Sequence, residues 1–221
     1  MAVARSIETQ REPPEVPRLE NGDRLDQPTF HERYLAMPAN ARAELIGGIV
    51  YLMTSPVSRT HGRFHATLDW WLSEYARSTP AVEGLDNTTV ILGVFTEPQP
   101  DLALRRLPDH GGGSEVREDD YVEGSPELVV EVSTSSAAYD LNQKKADYEQ
   151  AAVQEYIVVL PHEREVRWFS LVNGQYQPIN SGDDGVFKSE VFPGLWLDSQ
   201  ALFEGGDLRE ALKDGLATEN Q

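Results

Sequence analysis

The sequence predicts a single α/β domain with a mixed central β-sheet flanked by helices. The first observation behind this expectation is the order of the patterned segments, in which an amphipathic helix, strands, a second helix and further strands follow one another. The second is the length of 221 residues, which suits one sizeable domain with its own core. The third is that the sequence shows no internal repeat and no second hydrophobic core.

The first quarter of the chain predicts an arm, a short helix and a hairpin. Residues 1–27 are polar and rich in proline and charge, so we expect a mobile N-terminal arm. Thr29 is the expected N-cap of a short helix that ends at Pro38. The segment AELIGGIVYLM then predicts two strands that meet at Gly47 and Gly48.

The clearest amphipathic helix is predicted from SRTHGRFHATLDWWLSEYARS. Its apolar residues recur at helical spacing on one face: Phe64, Leu68, Trp71, Leu72 and Tyr75. Beyond it, NTTVILGVFT and PDLALRR predict two strands joined at a corner that contains Pro98 and Pro100. The acidic, glycine-rich stretch that follows lacks periodicity and predicts a loop up to the next strand.

The second half of the chain alternates strand and helix patterns. ELVVEVS predicts a strand, SAAYDLNQKKADYEQAAV a helix and EYIVVLP another strand. EVRWFSLVNGQYQPI predicts a hairpin around Asn173 and Gly174, and VFKSEVFPGLWL supplies the last strands. One final helix is expected from about Ser199. We therefore expect the domain to cover residues 28–212 and a frayed tip to cover residues 213–221.

Composition limits the function classes. The chain has 37 acidic and 19 basic residues, a net charge of −18, and such a surface repels nucleic acid at long range. The absence of cysteine excludes disulfides, zinc–thiolate sites and a cysteine nucleophile. The sequence shows no signal peptide and no segment that would span a bilayer, so we expect a cytoplasmic protein that does not associate with membranes.

Glu131 stands in the middle of the apolar strand segment PELVVEVSTSS. Because side chains alternate along a strand, both of its faces are apolar apart from Glu131, and we expect the strand to be buried on both sides. A buried carboxylate needs a compensating cation, either a metal ion or a lysine. The alternative is an edge strand whose Glu131 faces water. Asp101, which follows a proline at the start of another strand, fits either a cleft or a turn.

The helix after this strand predicts an inward lysine. Leu141, Lys144, Tyr148 and Ala152 share one helix face, and its other members are apolar or aromatic. Lys144 should therefore point towards the core, with Asp140 one turn earlier as a candidate partner. The alternative is a lysine whose stem lies at the rim of the core while its charge reaches water.

Two carboxylates and an inward lysine on neighbouring elements suit metal-assisted phosphodiester hydrolysis. Carboxylate oxygens bind Mg²⁺ or Mn²⁺, and a bound divalent ion lowers the pKa of a water molecule. A lysine offsets the negative charge that develops on the phosphoryl oxygens. Asp101, Glu131 and Lys144 are therefore the candidate catalytic residues.

Several segments together resemble the Uma-two-type restriction endonucleases of the PD-(D/E)XK nuclease superfamily. The segments are AELIGGIVYLM, SPVSRTHGRF, QPDLAL and the block PELVVEVSTSSAAYDLNQKKADYEQAAVQEYIVVLP. The resemblance runs from about Thr29 to Pro161 and continues more weakly to Leu197. It implies a restriction-endonuclease-like core and an Mg²⁺- or Mn²⁺-dependent nuclease.

The resemblance also implies roles for single residues. Asp101 corresponds to the aspartate of the PD motif, and Glu131 to the acidic residue of the (D/E)XK motif, both as metal ligands. Glu44 corresponds to the acidic residue ahead of the first strand and would be a third ligand. Ser133 occupies the place of the motif lysine, which Lys144 would supply from the following helix.

The same resemblance draws attention to three further residues. Asp140 and Tyr148 flank Lys144 with the spacing of the family's helix motif. His61 matches a histidine that is common in the family, and both a helix-entry cap and a substrate contact are open as its role.

Two functions follow from these observations. The first is a metal-dependent endonuclease that cleaves DNA, acts as a homodimer and carries a basic rim of four arginines: Arg59, Arg63, Arg105 and Arg106. The alternative is a catalytically silent nuclease-fold module that binds a protein partner, or assembles, through its acidic surface. In that case Trp70 would be a contact residue, whereas Trp71 is expected in the core.

Overall fold

A six-stranded mixed sheet forms the centre of the protein. The structure is a computed structural model and describes residues 16–53 and 56–219. The strands are β1 (Ala43–Ile46), β2 (Ile49–Leu52), β3 (Val82–Asp86), β4 (Val90–Ile91), β5 (Leu102–Arg106), β6 (Ser114–Val116), β7 (Val122–Gly124), β8 (Leu128–Val132), β9 (Glu155–Leu160), β10 (Glu165–Val172), β11 (Gln175–Ile179), β12 (Val186–Lys188) and β13 (Trp196–Asp198). The helices are α1 (Gln27–Leu35), α2 (Arg59–Ser78), α3 (Ala137–Tyr139), α4 (Lys145–Gln150), α5 (Ser199–Glu204) and α6 (Arg209–Glu219).

The order of the strands in this sheet is β11-β10-β9-β8-β5-β3. Strands β8 and β9 run parallel, and the other neighbours are antiparallel. Every residue of β8 and β9 is buried, as expected for strands at the centre of a sheet that is covered on both faces. This arrangement confirms the predicted fold class, an α/β domain with a mixed central sheet and flanking helices.

Helix α2 covers one face of the sheet, and its N-terminus determines where the site forms. Ser58 caps the helix by accepting a hydrogen bond from the His61 backbone N–H at 3.1 Å. The predicted apolar face is confirmed, since all five of its residues are buried. The indole of Trp71 also donates to the Trp196 carbonyl at 2.9 Å, which ties α2 to the C-terminal part of the chain.

The predicted second helix is interrupted by a wider turn. Residues 137–150 are helical, but Asp140–Lys144 form a π-helical turn between α3 and α4. Asp140 and Lys144 are the buried residues of this turn. A π-turn adds a residue to one helical turn and is frequent at functional sites. Here it brings a carboxylate and an ammonium group to the same side of the segment.

Two features near the N-terminus differ from the expectations. The N-cap of α1 is Asp26 and not Thr29, because the Asp26 carboxylate accepts from the Thr29 backbone N–H at 3.0 Å. Residues 1–15 of the expected mobile arm lie outside the described part of the chain. The described remainder packs on the domain, with Leu19 buried and Gly22 N–H bonded to the Val50 carbonyl at 2.8 Å.

Two further segments are more structured than their sequences indicated. The acidic glycine-rich stretch contains β6 and β7, which join β4 in a small three-stranded sheet. The C-terminal segment forms α5 and α6 instead of one helix, and α6 continues past Leu212, where we expected the domain to end. Leu216 packs against the main core. In the part of the chain that the structure describes, no helix is long and apolar enough to cross a membrane.

Candidate active site

The candidate site lies where β5 begins and β8 ends, beside the first turns of α2. Leu102 pairs with Val130 across the antiparallel β5–β8 ladder, so Asp101 stands opposite Glu131. Residues directly opposite in such a ladder place their side chains on the same face of the sheet. Asp101 also bridges the two strands, because its Oδ2 accepts from the Val132 backbone N–H at 2.7 Å. The β-pairing thus juxtaposes the two carboxylates that the sequence analysis selected.

Lys144 is held between two buried carboxylates. Its Nζ lies 2.9 Å from Glu131 Oε1 and 2.8 Å from Glu44 Oε1. The Tyr148 hydroxyl donates to the same Glu131 oxygen at 2.9 Å. Lys144, Glu131 and Glu44 are only 3%, 5% and 0% exposed, so both the inward lysine and the strand buried on both faces are confirmed as structural predictions. The alternatives of a lysine at the core's rim and an edge-strand glutamate do not apply.

Burial and the neighbouring charges both shift the pKa values in this cluster. Burial alone would lower the pKa of Lys144, but the carboxylates of Glu131 and Glu44 outweigh it and raise that pKa well above its usual value. Burial raises the pKa of Glu131, and Asp101 adds to this effect while Lys144 opposes it.

Glu44 occupies a different position from the one that the resemblance implied. It lies within β1 and not ahead of it, and Gln99 N–H donates to its Oε1 at 2.9 Å. Its Oε2 is buried and has no hydrogen-bond partner among the described residues. A buried carboxylate oxygen of this kind has a free lone pair that can coordinate a cation. Glu44 therefore remains a candidate metal ligand.

Two histidines of α2 approach Asp101 from the other side. His61 Nε2 lies 3.3 Å from Asp101 Oδ1, and His65 Nδ1 lies 3.7 Å from the same oxygen. One ligand atom from each of the three residues lies within 4.8 Å of the others, a spacing that suits one metal ion. Sequence reasoning missed His65, although the spacing of four residues from His61 on a helix was the available signal.

The remaining ring nitrogens of both histidines are already engaged. His61 Nδ1 lies 2.9 Å from the Val132 carbonyl, and His65 Nε2 lies 2.7 Å from Asp86 Oδ1. Metal-binding histidines characteristically donate their second N–H to a carbonyl or carboxylate, which orients the ring. His61 does not cap α2 with its side chain, since Ser58 provides that cap.

The hydrogen bonds to Asp101 also set the pKa values of this group. They raise the pKa of His61, and together with a hydrogen bond to Asp86 they raise the pKa of His65 to about 9. Burial would raise the pKa of Asp101, but the bonds to both histidines outweigh it and lower that pKa. In the metal-free protein an anionic Asp101 thus faces two basic imidazoles.

Asp140 and Ser133 belong to a neighbouring network. Asp140 accepts from the Ser136 hydroxyl at 2.5 Å, and Ser133 Oγ lies 3.3 Å from Ser136 Oγ. The ion pairs of Lys144 are with Glu44 and Glu131, so Asp140 is not its direct partner as the sequence suggested. The charge of Asp140 still contributes to the raised pKa of Lys144.

Two of the four arginines predicted to form a basic rim have structural partners instead. Arg105 is buried and pairs with Glu83 at 2.7 Å, while Arg106 donates to the Val191 carbonyl and lies over the Phe192 ring. Both arginines therefore serve the fold. Arg59 and Arg63 are exposed near the start of α2. Each precedes one of the two histidines by two residues, so the arginines lie on roughly the opposite side of the helix.

Comparisons with known proteins agree with this fold. The family model described as "Uma2: Putative restriction endonuclease" matches residues 28–200. Among solved structures, the chain is similar to that of "a putative nuclease belonging to DUF820 from Anabaena variabilis ATCC 29413". The TM-score is 0.63 at 13% identity, and the match covers 78% of this chain and 96% of that one, which shows a shared fold. A search of curated proteins found no match. Because the family match spans most of its length, the chain belongs to the Uma2 family.

Proposed function

We propose that the protein is a metal-dependent endonuclease that hydrolyses phosphodiester bonds in DNA. The observation that carries this proposal is the juxtaposition of Asp101 and Glu131 across β5 and β8, with Lys144 bonded to Glu131 from the adjacent helical segment. Membership in a family described as restriction endonucleases supports the same reaction class. The finer points, namely the metal, the DNA substrate and the roles of single residues, are part of the proposal.

The side chains of the cleft fit a divalent metal ion. Asp101, His61 and His65 offer three converging ligand atoms, and the unpartnered Oε2 of Glu44 offers another candidate oxygen. We expect Asp101 to be the central ligand, with Glu131 and Glu44 as the further acidic ligands that the family resemblance implies. When bound, such an ion lowers the pKa of a coordinated water and stabilises charge on the phosphoryl oxygens. The imidazoles favour Mn²⁺ over Mg²⁺, because Mg²⁺ prefers oxygen ligands.

The protein's own residues orient this site before any ligand arrives. The Val132 N–H fixes Asp101 Oδ2, which leaves Oδ1 directed at the two histidines. Lys144 and Tyr148 both hold Glu131 Oε1. Lys144 also places a permanent positive charge beside the carboxylates, and this charge offsets negative charge that builds up on a phosphate in the cleft.

Cleavage of supercoiled plasmid in the presence of Mg²⁺ or Mn²⁺ tests the proposal. Wild-type protein should nick the plasmid, and Asp101→Asn and Glu131→Gln should each reduce the rate by at least about a hundredfold, as for the loss of a central electrostatic group. Glu165→Gln is a matched control, because Glu165 lies on β10 and pairs with exposed Arg167. Equal activity of the wild type and both site variants would refute the site.

One observation favours the silent nuclease-fold module as a second candidate. Glu131 and Lys144 are almost completely buried and satisfy each other, an arrangement that also serves a purely structural role. Trp70, however, is partly buried against the core and lies under Arg209, so it is a poorer contact residue than we expected. Calorimetry with Mn²⁺ separates the two functions, since the module would show neither metal binding nor cleavage of any nucleic acid.

We further propose that the enzyme is a cytoplasmic homodimer. Two symmetry-related sites would act on the two strands of one duplex, as closed twofold assemblies allow. Sedimentation velocity at micromolar concentration should give a single species near twice the mass of one chain, 24.7 kDa. A monomer at all concentrations tested would contradict the dimer. It would not contradict the nuclease activity, which the plasmid assay tests separately.

A further inference from the structure

A second polar feature lies beside the candidate site, on the other side of the N-terminal turns of α2. It is a pocket of about 350 Å³ whose lining includes Arg59, Arg63, Arg164, Phe64 and Phe203. We name it the arginine pocket. Three of its lining residues are arginines and none is acidic, although the chain carries a net charge of −18. We propose that the arginine pocket binds a backbone phosphate of the nucleic acid strand that the site cleaves.

Sheet topology places the arginine pocket next to the site. Val132, whose carbonyl contacts His61, pairs with Val159 of the parallel strand β9. Pro161 and His162 follow directly after β9, so the pocket lies at the carboxyl end of one strand and the site at the carboxyl end of the next. Neighbouring strands are about 4.8 Å apart. A strand of nucleic acid that crosses this edge of the sheet can therefore reach both places.

The arginines of the pocket are positioned and available. The Arg63 guanidinium lies 4.5 Å from the centre of the Phe64 ring, and that of Arg164 lies 5.9 Å from the Phe203 ring. Phe64 and Phe203 contact each other with ring centres 5.6 Å apart, so the two aromatic rings form a common floor. Among the residues that the structure describes, neither Arg59 nor Arg63 forms an ion pair. Arg164 has one loose pair with exposed Glu204, at 3.7 Å.

The turn between β9 and β10 supplies the third arginine of the pocket. Arg164 has a backbone φ of 55°, in the left-handed region where glycine or asparagine is usual. Arg164 lines the arginine pocket, and an arginine can bind phosphate oxygens in a bidentate way.

The inference depends on the proposed function for the identity of the strand, and binding without metal tests it separately. Fluorescence anisotropy of a labelled 20-nucleotide duplex would be measured in EDTA, where no metal-dependent cleavage occurs, between 20 and 200 mM NaCl. Arg63→Gln and Arg164→Gln should each weaken binding severalfold at 20 mM NaCl. Each should also reduce the slope of log K against log salt by about 0.9, the value for one lost phosphate contact.

The controls separate charge loss from misfolding and from other ligands. Arg167→Gln removes the same charge from an exposed position on β10 and should leave the slope unchanged, whereas Arg63→Lys should retain most of the affinity. Circular dichroism melting checks that each variant folds.

The inference is overturned if wild type does not bind the duplex at 20 mM NaCl, or if the pocket variants match Arg167→Gln. It is also overturned if the pocket variants weaken the binding of inorganic phosphate but leave the binding of the duplex unchanged. If duplex binding depends on the pocket but the protein cleaves no nucleic acid, the phosphate-binding inference is supported and only the proposed nuclease activity is contradicted.

Discussion

Lys144 is the residue on which the buried charges of the cleft depend. It is the nearest cation to Glu131 and Glu44, and all three side chains are almost fully buried. Removing one partner of a buried ion pair leaves an uncompensated charge, which costs far more than the pair contributes by itself. Lys144 is therefore needed for the stability of the fold as well as for the proposed chemistry of the cleft.

Replacement of Lys144 by methionine should lower the free energy of unfolding by roughly 3–5 kcal/mol at pH 7, because two buried carboxylates lose their cation. Urea denaturation measures this loss. The deficit should shrink as the pH falls, because burial raises the pKa of Glu131 and the folded variant therefore takes up a proton there before the unfolded chain does. Lys145→Met is the control; its ammonium is half-buried over the Phe169 ring and has no buried carboxylate partner among the described residues. A loss no larger than that of the control would contradict the ion-pair assignment.

His65 provides a second test at the scale of one residue. Its pKa is raised to about 9 mainly by the hydrogen bond to Asp101. A raised histidine pKa stabilises the fold below the unfolded value of about 6.5, and this contribution is lost as the pH rises through about 9. In the metal-free protein, NMR titration should find His65 protonated at pH 7.5, and Asp101→Asn should lower its pKa towards 6.5. An unchanged titration in that variant would show that Asp101 does not control the ring.

Among the secondary-structure elements, the β1–β2 hairpin carries Glu44 to the cleft. The hairpin turn is attached to α4, because the Asp147 carboxylate accepts from the Gly47 backbone N–H at 2.6 Å and from the Thr96 hydroxyl at 3.0 Å. Gly47 has a φ of 57°, which suits glycine in this tight turn. The same helical segment thus supplies Lys144 and fixes the hairpin that brings its partner.

Asp147→Ala should therefore loosen the hairpin as well as destabilise the protein. The loss of two hydrogen bonds to a half-buried charged group should cost roughly 3 kcal/mol in denaturant unfolding, the lower end for two such bonds. Hydrogen exchange of the β1 and β2 amides should accelerate more than that of β8 and β9. Glu149→Ala on the same helix is unsuitable as a control, because half-buried Glu149 accepts from the Tyr176 N–H. Gln150→Ala, at the exposed end of α4, is the better choice.

The elements also show which features the sequence could predict. The buried strands and the apolar face of α2 were predictable from the sequence. Apolar residues that recur every two positions in a strand, or every 3.6 positions in a helix, indicate which face is buried. Strands β6 and β7 have three residues each, too few for such a pattern. The π-turn at 140–144 was not predictable either, since its residues fit an ordinary helix. In the site, Glu131 and Lys144 were identifiable as charges within apolar patterns. The contact of His65 with Asp101 arises only from tertiary packing of α2 on the sheet.

For the molecule as a whole, the net charge of −18 opposes the proposed substrate. Attraction must then come from a few locally basic places such as the arginine pocket, while the rest of the surface repels DNA. The same excess charge destabilises the compact state by self-repulsion. Both effects are screened by salt, because the Debye length falls from about 30 Å at 0.01 M to about 8 Å at 0.15 M.

Salt should therefore stabilise the isolated protein while it weakens DNA binding. Between 0.01 and 0.3 M NaCl at pH 7.5, we expect the free energy of unfolding to rise by about 1 kcal/mol, which corresponds to roughly 2–4 °C in the melting temperature for a chain of this size. The rise should be the same with KCl, because screening depends on ionic strength and not on the cation. It should shrink at pH 5, where partial protonation of the carboxylates reduces the net charge. A melting temperature that falls with salt at pH 7.5 would show that local ion pairs outweigh the global repulsion.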